Sequence, residues 1–148
     1  MLFRYHLSFG AIKKHHFYLN LAIQQFTDSF LIINQSRSIL GPSEPLINQE
    51  VYINYGVTIK SEYDWAFLKS KLKDFENNVD LKQNVDIDIM IKEYNNEVFF
   101  ISPKVLKYTH CLKLLNELNP SILINNRNLS YLINHKSNKN EFKFVEVK

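Results

Sequence analysis

Five histidines, a single cysteine and two aspartates spaced two apart are the residues of this chain best suited to chemistry. Imidazole titrates near neutrality, so a histidine can serve as acid, base or metal ligand. His15 and His16 are adjacent, and neighbours on an extended chain point to opposite faces, so they do not readily share one metal. His6 and His16 would both lie on the polar face of an N-terminal hairpin. A zinc site needs at least one ligand more, and no spacing nominates it. His110-Cys111 has the composition of a catalytic dyad, but helical neighbours diverge by ~100°. Cys111 falls one turn from Tyr108 and Leu115 and reads as a small core hydrophobe.

Asp86 and Asp88 share one face of a strand. Paired carboxylates can bind Mg²⁺ or divide into acid and base. The same Ile–Asp alternation is also what any strand with one wet face shows. With Glu93 and Glu97 near the following turn, the hairpin presents an acidic patch suited to a basic protein partner. Tyr52, opposite the face of Val51 and Ile53, adds a ring suited to protein contact. The sequence contains no glycine-rich phosphate loop, no paired-cysteine motif, no His-Glu-x-x-His and no Gly-x-Ser-x-Gly.

The elements that must carry these residues follow from periodicity. Phe3, Tyr5, Leu7 and Phe9 alternate with polar residues and predict a strand. Phe17, Leu19, Leu21 and Ile23 repeat the alternation and predict a second strand. Residues 30–34 predict a third, and the three form an N-terminal meander. Residues 35–49, with Gly41-Pro42-Ser43-Glu44-Pro45, read as a crossover loop. Residues 50–60 predict a fourth strand. Ser61 reads as the N-cap of a helix whose apolar stripe is Trp65, Leu68, Leu72 and Phe75. Residues 85–101 form a central hairpin turning at Asn95-Asn96, two residues tolerant of positive φ. Ser102-Pro103 opens a second helix, with serine as N-cap and proline at the first position, and Asn119-Pro120 stops it. Residues 122–124 are either strand or helix. Residues 128–134 predict a short helix, and 142–147 an edge strand.

The fold class expected is therefore α+β: a single antiparallel sheet, N-terminal meander plus central hairpin, with two main helices packed on one face. The whole chain, 1–148, reads as one domain, because no composition shift marks a boundary. At 45% hydrophobic and 14% aromatic residues, the chain has the material for a core and is no disordered segment.

A net charge of +3 invites a nucleic-acid reading. Neither half concentrates the charge, and only three of the 18 cations are Arg, the residue best suited to bidentate phosphate contacts. With one cysteine, no internal disulfide can form. No basic leader precedes an apolar run, and no stretch approaches the ~20 apolar residues of a membrane span, so a cytoplasmic location follows by elimination.

These features favour a non-enzymatic module whose partner is another protein, most concretely a bacterial immunity or antitoxin-like protein that neutralises a toxin. Its interface would use Asp86, Asp88, Glu93, Glu97 and Tyr52, with no cofactor and no catalytic residue. The alternative is a small hydrolase or transferase using His6 and His16. A further alternative is a nucleic-acid-binding or phage accessory protein using Lys69, Lys71 and Lys73. An exposed edge strand would let two copies pair in any of the three.

Overall fold

A computed structural model describes residues 1–145. One seven-stranded sheet organises the chain. Its strands are β1 (Phe3–Ile12), β2 (Leu31–Gln35), β3 (Ile39–Pro42), β4 (Val51–Ser61), β5 (Asp86–Tyr94), β6 (Glu97–Ile101) and β9 (Lys143–Phe144). The spatial order is β6-β5-β1-β4-β3-β9, with β2 also paired to β4, and every pairing is antiparallel. The helices are α1 (His16–Phe26), α2 (Trp65–Glu76), α3 (Pro103–Lys107), α4 (Thr109–Leu118) and α5 (Leu129–Asn134). A separate two-stranded ribbon joins β7 (Leu123–Ile124) to β8 (Arg127–Asn128). The α+β class and the mostly antiparallel sheet are as the sequence predicts.

The N-terminal meander does not form. Residues 16–26 are helix, and the buried positions Leu19, Ala22 and Phe26 recur at i, i+3 and i+7. Phe17, which the strand reading placed inward, is 70% exposed. The segment satisfies both periods, and tertiary context selects between them. Both edges of β1 are taken by β4 and β5, leaving no ladder for residues 16–24.

The helices also occupy both faces of the sheet rather than one. Tyr5, Leu7 and Phe9 of β1 pack with Leu19 and Phe26 of α1 and Leu68 and Leu72 of α2. On the other face, Met90 and Ile91 pack with Leu112 and Leu115 of α4. Residues 35–49 are not all loop, since Ile39–Pro42 pairs with Val51–Asn54 as β3. The α2 N-cap is Asp64, whose Oδ1 accepts from the Phe67 N–H at 2.8 Å. Ser61 instead ends β4 and accepts from the Tyr63 N–H.

The central hairpin turns as expected at Asn95 (φ 50°) and Asn96 (φ 64°). It contains a feature that the alternation did not show. The β1–β5 register slips between His6 and Leu7, whose partners are Ile91 and Ile89. This bulge at Met90 reverses the alternation. Ile91 and Glu93, not Lys92, continue the face that Asp86 and Asp88 begin. Ser102 and Pro103 start α3 as predicted, but the helix breaks at Tyr108, which is extended (φ −112°, ψ 123°), and α4 restarts at Thr109. Of the predicted edge strand 142–147, residues 143–144 are strand, and 146–147 lie outside the described residues.

Candidate functional site

Three neighbouring strands floor one cavity of about 230 Å³. β1 contributes Ser8 and Gly10, β4 contributes Tyr52 and Asn54, and β5 contributes Asp86 and Asp88. Register fixes their proximity: Gly10 lies opposite both Asn54 and Asp86, and Ser8 lies opposite Asp88. Gly10 is required by close approach, since a Cβ there would stand 2.3 Å from Asn54 Oδ1. Its absence lets the Asn54 amide lie across β1. Lys104 of α3 and Tyr108 and His110 at the start of α4 wall one side, and residues 42–47 wall another.

One carboxylate joins these walls. Tyr108 has no side chain able to cap α4, so the helix N-terminus is capped from 65 residues away. Glu44 accepts from the backbone N–H groups of Thr109 and His110, each at 2.9 Å, and from Asn138 Nδ2 at 3.1 Å. It also hydrogen-bonds His110 Nδ1 at 2.8 Å. Burial alone would raise the Glu44 pKa. The bonds from the His110 side chain, the two backbone N–H groups and Asn138 outweigh it and hold the group at about 2. His110 moves the other way. Burial opposes its charged form, but Cys111 Sγ at 3.6 Å and the Glu44 carboxylate raise it to about 10. A charged imidazole thus lines the cavity, its Nδ1 on Glu44 and its Nε2 beside Cys111 Sγ.

Asp86 is pushed up by burial and by the neighbouring Asp88 charge, with Lys104 and Lys73 opposing. Lys104 Nζ donates to Asp88 Oδ1 at 3.0 Å. The Tyr108 and His110 rings lie nearly parallel, 11° apart in plane, with centroids 5.8 Å apart. The cavity therefore carries three carboxylates, Glu44, Asp86 and Asp88, against two cationic groups, Lys104 and His110. The α4 N–H groups that would attract an anion are already engaged by Glu44. Such a balance favours a cation, or an anion that arrives with one.

Asp86, Asp88 and Tyr52 are brought together here, but the acidic patch predicted for the hairpin does not form. Glu93 is 3% exposed. The Met90 bulge turns it onto His6 Nε2, and Asn119 Nδ2 donates to both of its oxygens at 3.2 and 3.3 Å. Glu97 lies beyond it at the start of β6. His6 and His16 do not meet either. His6 is buried mid-strand, its Nδ1 2.8 Å from Thr58 Oγ1. His16 starts α1 ten residues on, past the remaining ~20 Å of β1. Glu44 and Lys104 went unrecognised in the sequence. Nothing local ties a glutamate in a Pro-Ser-Glu-Pro loop to a helix 65 residues later. Lys104 is one of many surface-type lysines until α3 sets it over Asp88.

The sheet with helices on both faces, and a polar cavity floored by β1, β4 and β5, define an α+β architecture. No family model and no curated protein matches the chain. Among solved structures it is similar to HPPK-DHPS of Plasmodium falciparum, a folate-biosynthesis enzyme. The S436F/A437G/A613S triple mutant with SDX-DHP matches at TM-score 0.79 and 12% identity, over 99% of this chain and 48% of that one. The S436F/A437G/A613T triple mutant with STZ-DHP matches at 0.76 and 12%, over 99% and 46%. The wild type with pteroate matches at 0.73 and 11%, over 99% and 46%. At such identity the likeness is one of fold, and this chain spans less than half the length of those proteins.

The likeness corrects the expectation drawn from composition. The fold is shared with an enzyme, so the reading as a non-enzymatic immunity or antitoxin-like protein with a toxin partner is withdrawn. The neighbours are enzymes that bind pterin compounds, not protein toxins. As for membranes, among the described residues no helix is long and apolar enough to cross one.

Proposed function

We propose that this chain is a small group-transfer enzyme acting in the Asp86–Asp88 cavity on a phosphate-bearing substrate that enters with a divalent cation. The observation that carries the reading is the convergence of Asp86 and Asp88 with Lys104 and His110 in one cavity, in a fold shared with a folate-biosynthesis enzyme. The residues fit a magnesium ion in one specific way. Among the described residues no three His, Cys, Asp or Glu form a metal cluster, so the protein alone offers two carboxylates. Mg²⁺ is commonly held in that manner, by one or two carboxylates with water and substrate phosphate supplying the rest. The ion would relieve the repulsion that raises Asp86 and would neutralise phosphate charge.

The chain's own groups then have distinct tasks. Lys104 offers a charge-assisted hydrogen bond to phosphate oxygens, and the His110 imidazolium adds positive charge beside them. Glu44 keeps His110 charged and oriented. Asn54, laid over Gly10, offers an amide to the acceptor, and the Tyr52 and Tyr108 rings suit a flat heterocycle. A pterin is the acceptor class suggested by the ligands of the structural neighbours.

Calorimetric titration with Mg²⁺, MgATP and a hydroxyl-bearing pterin tests the reading, alongside an assay of phosphoryl or pyrophosphoryl transfer between them. The expected result is MgATP binding that is lost in Asp86→Asn/Asp88→Asn, together with transfer to the pterin. A folded wild-type protein that binds none of the three, or binding that survives the double substitution, overturns it.

A further inference from the structure

A second cavity is larger than the one just described. It measures about 990 Å³ and lies at the opposite end of β1, where Arg4 and His6 line it. A smaller cavity of about 250 Å³ adjoins it, sharing Arg4, Glu93 and Asn96. In that smaller space Arg4 of β1 and Lys60 of β4 are direct cross-strand partners. Like charges facing each other across a ladder repel. No ion pair or side-chain hydrogen bond joins either to an acid among the described residues. Two carboxylates are nearby, and neither resolves the repulsion. Glu93 lies opposite Arg4 and feels its charge, but its oxygens are engaged by His6 and Asn119. Glu97 lines the larger cavity and not the smaller. Asn95 and Asn96 complete the smaller cavity with amide groups.

The wall of the larger cavity is mostly polar, with Asn34, Thr58, Glu97 and Asn119 in it, but it also has an aliphatic side. Ile33 of β2, Val98 of β6 and Leu123 of β7 are 40%, 37% and 58% exposed, and all three line it. Three separate elements thus leave aliphatic surface open around one space beside a cation pair whose acidic neighbour, Glu93, has its oxygens bonded to His6 and Asn119. Like charges kept side by side and unburied apolar surface, meeting at one place, are features of a binding site.

We infer that this end of the sheet is a second binding site, for a small organic anion with an apolar body. The phosphate or carboxylate head sits between Arg4 and Lys60. The apolar part lies against Ile33, Val98 and Leu123. The site shares no lining residue with the Asp86–Asp88 cavity, although His6 and Ser8, which line the two, are only two residues apart on β1, and it stands whether or not that cavity transfers a group.

Octyl phosphate and inorganic phosphate are the probes, followed by amide chemical shifts and calorimetry on the full chain. Octyl phosphate should shift residues around Arg4, Lys60, Val98 and Leu123. It should bind at least about tenfold tighter than inorganic phosphate, because each methylene withdrawn from water is worth roughly fourfold. Arg4→Gln/Lys60→Gln should weaken both probes by about tenfold or more. Leu123→Ser should weaken only octyl phosphate. All three positions are at the surface or half-buried, so these variants should fold, and their melting curves verify it. Unchanged affinity in Arg4→Gln/Lys60→Gln overturns the inference. So do shifts confined to Asp86, Lys104 and His110, or equal binding of the two probes. A lack of binding at millimolar concentration overturns it as well.

Discussion

Replacing Glu44 by Gln should destabilise the protein by about 3 kcal/mol, the lower part of the range for removing one partner of a buried ion pair. The carboxylate is 8% exposed and His110 is 14% exposed, so solvent screens the pair little. Four donors converge on Glu44: two backbone N–H groups of α4, His110 Nδ1 and Asn138 Nδ2. A glutamine keeps one acceptor oxygen and turns an NH₂ group toward donors. For a chain of this size the loss corresponds to a fall in Tm of roughly 6–12 °C. The pH dependence distinguishes this mechanism from a packing defect. Glu44 titrates at about 2 in the fold against an ordinary 4.5, so its contribution is present above 4.5 and fades as pH falls toward 2. His110 titrates at about 10 against an ordinary 6.5, so its contribution is complete below 6.5 and fades as pH rises toward 10. The gap between wild type and Glu44→Gln is therefore widest between about pH 4.5 and 6.5 and narrows on both sides. Urea unfolding at pH 3, 5.5 and 9 measures it. A gap below about 1 kcal/mol at pH 5.5, the size of an exposed pair, refutes the reasoning, as does a gap that does not vary with pH.

Three further outcomes follow from the same geometry. His6→Ala should destabilise by about 3 kcal/mol, since it strips the buried Glu93 of its main partner; His6→Ala/Glu93→Leu should recover much of the loss in denaturant titrations. Gly10→Ala should cost about 1–3 kcal/mol as its methyl displaces the Asn54 amide, and it should weaken pterin binding in calorimetry more than it weakens Mg²⁺ binding. Asp86 is raised by burial and by Asp88, so its charge works against the fold above its pKa. Asp86→Asn should stabilise the metal-free protein at pH 7 and make no difference below pH 3, while binding Mg²⁺ less tightly; equal melting temperatures at pH 7 would contradict that assignment.

The turn of the central hairpin was legible because its information is local. Asn95 and Asn96 take positive φ where Cβ sterics favour asparagine, Ser102 and Pro103 start a helix by their own groups, and β4 alternates over its length. The sequence by itself thus determined the α+β class, the hairpin, the limits of α3–α4 and α5, and the placing of Asp86 and Asp88 on one face. Three things were decided only in the tertiary structure. Residues 16–26 satisfy two periods at once, and β1's occupied edges made them a helix. The bulge at Met90 put Glu93 on the face of Asp86 and Asp88, where His6 buries it instead of leaving it in an exposed acidic patch, a register effect set by pairing with β1. The candidate site itself depends on contacts between distant residues: Glu44 with Thr109 and His110, Gly10 with Asn54, Lys104 with Asp88. Local sequence governs backbone preference over a few residues. A site assembled from four strands and two helices depends on which strands become neighbours, and that is a property of the whole packed sheet.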